Sequence, residues 1–457
     1  MKRQKSLLPY LSLLLALALA LAACGGQQAV EPTEAPPPEP TEEPMEEPTE
    51  EPMEEPAGGV SCDEPVKVGL ITDETGALAI YGAHILSSFP IGMEYATGDA
   101  GTDNGNYTSY MLDDCEIQVF KRDDQSVPET TATVARELIE AEGVELIVGT
   151  VSSGATATLQ ELARDNRVPL IVAPAAANDI TGVSFNEYTF RVSRNNYQDA
   201  MNICEYVVNE YDTFVQIAPD YSFGYGGAEA FRDACSIAGG EFVADDIFAP
   251  ADTTEFTPYM EQVLASGAEA FLVTWAGGGF VPMMQAAQEL GVLDEMALSS
   301  AFIDNALMPT FFANAVGSTS GILYHYSAPD NEANDFLTEQ TIARTGAPPD
   351  LFAADGMNAA ILVVEALRAT GGDTDPQALL DVMEGMTFNG PKGEVTIRSE
   401  DHVAIQDMYI VTLTNVDDPE FRYYDLVETN RPEPPCQLPE DLADRCGDLP
   451  VGSLSGE

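Results

Sequence analysis

Ser152, Ser153 and Gly154 stand between an apolar run at 144–149 and a segment whose Leu159 and Leu162 share one helical face. A helix start of this kind offers free N–H groups and the positive end of a helix dipole, and two hydroxyls add donors, so the position suits an anion. The same serines can serve only as helix caps, and the two roles can coexist. Tyr221 and Phe223 follow one apolar run; Trp275, the only tryptophan, ends another just before Ala276-Gly277-Gly278-Gly279. Aromatic rings at strand ends pack on apolar parts of a ligand, and glycines let backbone come close. Packing into the core is the alternative for each ring. Catalysis has less support. The chain has neither a Gly-x-x-x-x-Gly-Lys-Ser/Thr phosphate loop nor a Gly-x-Ser-x-Gly elbow. His84, His325 and His402 lie far apart, outside any spaced metal motif, and Asp99, Asp103, Asn104 and Asn106 lack EF-hand spacing and read as a solvated turn. A binding protein is expected, not an enzyme, with no cofactor and no metal.

The elements that must position these residues alternate. Val66–Thr72 reads as a buried strand, followed by a turn and a helix over 85–96; the next strand covers 116–120. Ser126 with Glu129 forms a capping box that opens a helix carrying Val134, Leu138 and Ile139 on one face, with Gly143 past its end. Strand 144–149, the helix from about Gly154 and strand 168–173 follow. After Arg191 the alternation restarts: strands at 213–218, 241–244 and 269–275, helices at 226–238, 258–265 and 282–290. Strands alternating with helices at this spacing imply right-handed crossovers and parallel sheets, and two successive sets imply two lobes with a cleft between them. Ligands of open α/β sheets lie beyond the carboxyl ends of strands, where the residues above fall.

The ends of the chain say where it works. Lys2, Arg3 and Lys5 precede a Leu/Ala run over residues 7–23, a secretory signal, and Leu21-Ala22-Ala23-Cys24-Gly25 resembles a lipobox with cleavage before a lipidated Cys24. An uncleaved anchor with an incidental cysteine is the alternative. Residues 24–61 form a Glu/Pro/Thr-rich tether that cannot bury enough apolar surface to fold; extended at about 3.1 Å per residue, it reaches roughly 100 Å. The formal net charge of −57 exceeds what the tether supplies, and beyond the signal only Lys67, Lys121 and Lys392 are lysines. So acidic a body argues against nucleic acid or anionic lipid as a partner. With Cys24 set aside, six cysteines remain in an oxidising compartment, and sequence alone allows fifteen pairings. Cys62 and Cys115 each precede a strand of one sheet, Cys436 and Cys446 are local to the tail, and Cys204 with Cys235 remain.

From Val66 to about Leu413 the chain resembles the branched-chain amino acid-binding family of extracytoplasmic ABC-importer proteins, with the type I periplasmic binding fold. The residues carrying the resemblance are Thr75-Gly76-Ala77 with Tyr81-Gly82, Arg122-Asp123-Asp124-Gln125, Ala135-Arg136-Glu137-Leu138-Ile139, Val148-Gly149 with Ser152-Ser153, Ala173-Pro174-Ala175-Ala176, and Tyr188-Thr189-Phe190-Arg191. Their order and spacing make the case. The resemblance implies two lobes, each a parallel sheet flanked by helices, joined by three crossings near Val192, near Leu323 and at 401–404. Residues 62–192 with 322–402 would form lobe I, residues 193–321 with 403–435 lobe II, completed by the strand Met408–Leu413, and 436–457 a tail with no reading beyond its cystine loop.

In that family the serine matching Ser153 binds the ligand's α-carboxylate, Tyr81 matches a ligand-facing tyrosine, and the backbone carbonyl at the position of Ala175 receives the ligand's ammonium. Two departures follow. Ala177 stands where amino acid binders carry a threonine that touches both charged groups. The acidic partner of the ammonium falls near Ser300 or Ala301, with Asp304 close enough to substitute or merely to cap a helix. A buried ammonium without a partner is costly, so a non-amino carboxylate, including an aromatic one, is a serious candidate. Arg194, after the first crossing, can pair with a ligand carboxylate. The implied partners are a small solute, a permease with its ATPase subunits, and the membrane through lipid on Cys24. The implied protein is a monomer, anchored outside the cytoplasm or periplasmic. A sensor of the same fold signalling to a membrane receptor is the alternative.

Overall fold

The computed structural model describes residues 59–300 and 303–456. The signal segment, Cys24, the tether up to residue 58, and Ala301 lie outside the described residues.

Val66–Thr72 is buried at every position but Lys67, because both of its faces are covered. It sits inside a seven-stranded sheet ordered Thr102–Asp103, Thr108–Leu112, Cys115–Asp123, Val66–Thr72, Leu146–Val148, Leu170–Val172, Thr189–Arg191. The last five strands are parallel, whereas the first three pair antiparallel as an edge hairpin. That hairpin contains the acidic Gly-rich stretch read as a solvated turn; Asn104-Gly105 closes it, with Gly105 at φ 85°. Helix Ala353–Thr370, from late in the chain, packs along helix Ala79–Thr97 on one face of this sheet.

The second lobe has a smaller parallel sheet, ordered Ile247–Ala249, Thr213–Pro219, Ala270–Val273, Ala297–Ser299, with the short Glu241–Phe242 beside Thr213–Pro219. Phe271, Val273, Trp275, Met283 and Met284 are among its core residues.

Two expectations are corrected. Ser126 does not cap a helix: it lies at φ 57°, its N–H held by Asp124 Oδ1 at 3.0 Å, and the helix Pro128–Arg136 starts behind Val127. Pro128 sets the first helical φ and forces Val127 into extended geometry, which moves the start forward. Strand 241–244 ends at Phe242, and the chain pairs again only at Ile247–Ala249. The strand Met408–Leu413, expected from sequence, is present and forms an antiparallel sheet with Thr319–Ile322 and Tyr424–Asn430. Asn202, on helix Asn196–Val207, ties that sheet down through Ile322 O at 3.3 Å and Tyr409 O at 3.2 Å.

Cys62–Cys115, Cys204–Cys235 and Cys436–Cys446 are bonded, with Cα separations of 4.9, 4.8 and 5.7 Å. The tail is more than a loop. Arg445 lies 5.2 Å over Phe185 and donates to Glu400 O at 3.0 Å, while the Leu454 N–H reaches Asp233 Oδ2 at 2.8 Å. Among the described residues no helix is long and apolar enough to cross a membrane.

His325, just after the strand Thr319–Ile322, makes stability depend on pH. Its Nδ1 accepts the Ser327 N–H at 3.3 Å and its Nε2–H donates to Phe421 O at 3.0 Å, and burial holds its pKa down at about 4. The unfolded chain takes up this proton first, near pH 6.5. The contribution is therefore complete above that value and is lost as pH falls toward 4, by about 2 kcal/mol between pH 7 and 5. His325→Gln should flatten that part of the slope, read as the difference in unfolding free energy between the two pH values for each protein.

Candidate ligand-binding site

The strand Leu146–Val148 hands over to helix Ser153–Asn166 through a short turn, and the two serines there divide the work. Ser152 is the N-cap: its Oγ accepts the Ala155 N–H at 3.4 Å, and its carbonyl accepts Thr156 N–H at 2.8 Å. Ser153 is the first helical residue, and its Oγ accepts the Ala177 N–H at 3.2 Å. The Ser153 hydroxyl proton is thereby left to donate elsewhere, and Ser153 lines a hollow between the lobes while Ser152 does not.

The floor of that hollow is the loop Pro174, Ala175, Ala176, and two buried arginines hold it from behind. Arg191 closes the strand Thr189–Arg191 and donates to Ala175 O at 2.6 Å and to Ala177 O at 2.7 Å. Ser193 Oγ donates to the same Ala175 carbonyl at 3.2 Å, so both of its lone pairs are used. Burial, with neighbouring Arg194, pushes the Arg191 pKa down to about 9. Arg194 donates to Pro174 O at 3.0 Å and to Asp199 Oδ1 at 3.2 Å, and its guanidinium lies 5.0 Å over the Phe352 ring. It is only 1% exposed, yet it forms part of the wall of the hollow. Burial raises the Asp199 pKa against the pull of Arg194.

Aromatic rings make the sides. From the first lobe come Tyr81 and Phe352, edge to face at 5.0 Å; from the second come Tyr221 and Phe223, 5.9 Å apart. Tyr81 reaches the hollow because Gly82 lets its helix press onto the first strand's end: a Cβ there would fall 1.7 Å from Asp73 O. The Tyr81 hydroxyl accepts the Gly277 N–H at 3.3 Å, a bond between the lobes. At Gly277, φ 85°, the lobes pack closely: a Cβ would meet Leu78 Cδ2 at 2.7 Å and Ala77 O at 3.0 Å. Burial, then Asp304, raises the Tyr81 pKa, so the phenol stays neutral and can donate.

Of the residues singled out from sequence, the structure brings together Tyr81, Ser153, Ala175, Arg194, Tyr221 and Phe223, and adds Leu78, Val151, Ala276 and Phe352. It leaves out four. Ser152 is occupied as a cap. Ala177, 1% exposed, faces the first lobe's core and serves the site only through its N–H. Trp275 points into the second lobe's core, edge-on to Phe256 at 5.1 Å, and its neighbour Ala276 faces the hollow instead. Asp304 neither lines the hollow nor caps the turn that follows it. It is 4% exposed beside His84 and Asp350, and burial, then Asp350, pushes its pKa up to about 7. Phe352 carries no local sequence signal, being placed by the helix pair that joins distant parts of the chain.

A family model described as a periplasmic binding protein matches residues 65–418. Leu/Ile/Val-binding protein homolog 6 of Brucella melitensis biotype 1 is 26% identical over 365 residues, covering 77% of this chain and 88% of that protein. Among solved structures, an ABC-type branched-chain amino acid transporter from Rhodopseudomonas palustris CGA009 is 31% identical with a TM-score of 0.66, covering 80% of this chain and 96% of its own. A solute binding protein of an ABC transporter from Rhodopseudomonas palustris BisB5, solved in complex with 3,4-dihydroxy benzoic acid, is 25% identical with a TM-score of 0.69, covering 80% and 97%.

Proposed function

We infer the role from one fact: this chain belongs to the periplasmic binding protein family, the solute-binding proteins of ABC transporters, a transport class and not an enzyme class. We propose that it binds a small aromatic carboxylate of the hydroxybenzoate kind between its lobes. It would release that solute unchanged to a membrane permease, held outside the cytoplasm by lipid on Cys24.

The observation that carries this reading is the Ala175 carbonyl. In amino acid binders this acceptor meets the ligand's ammonium, whereas here Arg191 and Ser193 already use it. What faces the hollow is complementary to an anion instead: the Ser153 hydroxyl at a helix start, the Arg194 guanidinium and four aromatic rings. The 3,4-dihydroxy benzoic acid bound by the BisB5 protein has this chemistry, a carboxylate on a flat apolar ring. A ligand touching both lobes only in the closed cleft shifts the population toward closure.

Ser153→Ala tests the carboxylate contact, with 3,4-dihydroxybenzoate as the probe. A hydrogen bond to a charged group contributes about 1.5–3 kcal/mol, so calorimetry should show affinity falling roughly ten- to hundredfold with the fold intact. Unchanged affinity would remove Ser153 from the site.

A further inference from the structure

We propose that His84, Asp304 and Asp350 form a site for one divalent cation of the zinc class, separate from the organic ligand's hollow and joining the two lobes. One ligand atom from each residue lies within 4.8 Å of the others. His84 belongs to helix Ala79–Thr97, and Asp350 stands just ahead of helix Ala353–Thr370, which packs on it; both are in the first lobe. Asp304 follows the second-lobe strand Ala297–Ser299.

Two further observations ask for an occupant. Asp304 is 4% exposed and its Oδ1 has no hydrogen-bond partner among the described residues; the His84 Nδ1 is buried in the same condition. A buried carboxylate oxygen without a partner is costly, and a cation between it and a lone imidazole nitrogen removes both deficits together. The third residue is already oriented. Asp350 Oδ2 accepts the Asn305 N–H at 2.9 Å and its Oδ1 accepts the Leu351 N–H at 2.9 Å, the outer support that metal-binding carboxylates commonly have. The Asn305 contact also fixes the segment that carries Asp304.

The donor set chooses the ion. One imidazole with two carboxylates suits zinc and its neighbours better than calcium or magnesium, which prefer oxygen throughout. Donors around tetrahedral zinc stand about 3.4 Å apart, a contraction from the present spread that side-chain rotation can make, with water in the fourth position. Asp350 also lines a second, smaller hollow with Asn305 and Tyr424, which places solvent-sized space beside the cluster. Because the donors come from both lobes, the ion would favour the closed form and raise affinity for the organic solute.

The full chain, stripped of metal with a chelator, is to be titrated calorimetrically with zinc chloride, and with Co²⁺ while its visible spectrum is followed. The expected result is about one equivalent per chain and a tetrahedral Co²⁺ spectrum. Asp304→Asn and His84→Gln should each weaken binding by at least about 30-fold, while Glu140→Gln, at an exposed acid, leaves it unchanged. Near-UV circular dichroism and retained binding of 3,4-dihydroxybenzoate by Asp304→Asn would show that the variant folds, and keep this test separate from the assignment of the organic ligand. No saturable step, or equal affinity in wild type and Asp304→Asn, would overturn the site. So would protection by leucine that Asp304→Asn abolishes while zinc has no effect, since the cluster would then hold an ammonium.

Discussion

Arg194→Met should lower affinity for 3,4-dihydroxybenzoate by at least about a hundredfold. Losing one partner of a buried, charge-assisted contact costs roughly 2–5 kcal/mol, and each 1.4 kcal/mol is tenfold in affinity. Arg194 is the cation in the wall of the hollow, and its surroundings fix its direction: Pro174 O and Asp199 on one side, the Phe352 ring beneath it. Arg194→Lys keeps the charge without the planar fork and should recover only part of the loss. Calorimetry on the three proteins reads this directly. An affinity for the acid that Arg194→Met leaves intact would mean that the guanidinium serves the fold alone.

Arg191→Met acts from behind the site, and its expected effect is on stability. Arg191 is wholly buried and satisfies the carbonyls of Ala175 and Ala177, with a further contact to Thr181 at 3.3 Å. Methionine fills much of the volume but removes two charge-assisted donors, leaving the Ala175 carbonyl to Ser193 Oγ alone and the Ala177 carbonyl to the long Ile180 N–H contact at 3.4 Å, so a loss of about 3–5 kcal/mol in unfolding free energy is expected. Binding should weaken too, because Ala177 holds Ser153 in place. Urea unfolding followed by circular dichroism measures the first effect; a loss below about 1 kcal/mol would mean that water or a shifted loop replaces the guanidinium.

Much of this architecture is readable from residues because burial on both faces leaves a plain mark. Val-Lys-Val-Gly-Leu-Ile-Thr can be little else than an inner strand, and Ser152-Ser153-Gly154 after such a strand marks the start of a helix. Pairing the cysteines needed the order of two strands, the closeness of Cys436 and Cys446 in the tail, and elimination. What escaped depends on distances that sequence does not carry. Trp275 and Ala276 adjoin, and only the strand's final twist decides which faces the cleft. Phe352, His84, Asp304 and Asp350 come from remote segments, so their meeting reflects the packing of helix Ala353–Thr370 on Ala79–Thr97 and the closing of the lobes. Arg191 was visible as part of a motif, but its use in occupying the Ala175 carbonyl became apparent only from the hydrogen bonds.

The most direct test compares three solutes in one calorimeter: 3,4-dihydroxybenzoate, its neutral amide, and leucine. A chain whose hollow is lined by Ser153 and Arg194, with the Ala175 carbonyl already held by Arg191 and Ser193, should bind the acid at one site per chain, the amide far more weakly, and leucine not measurably. Tight binding of leucine, or equal binding of acid and amide, would contradict the account.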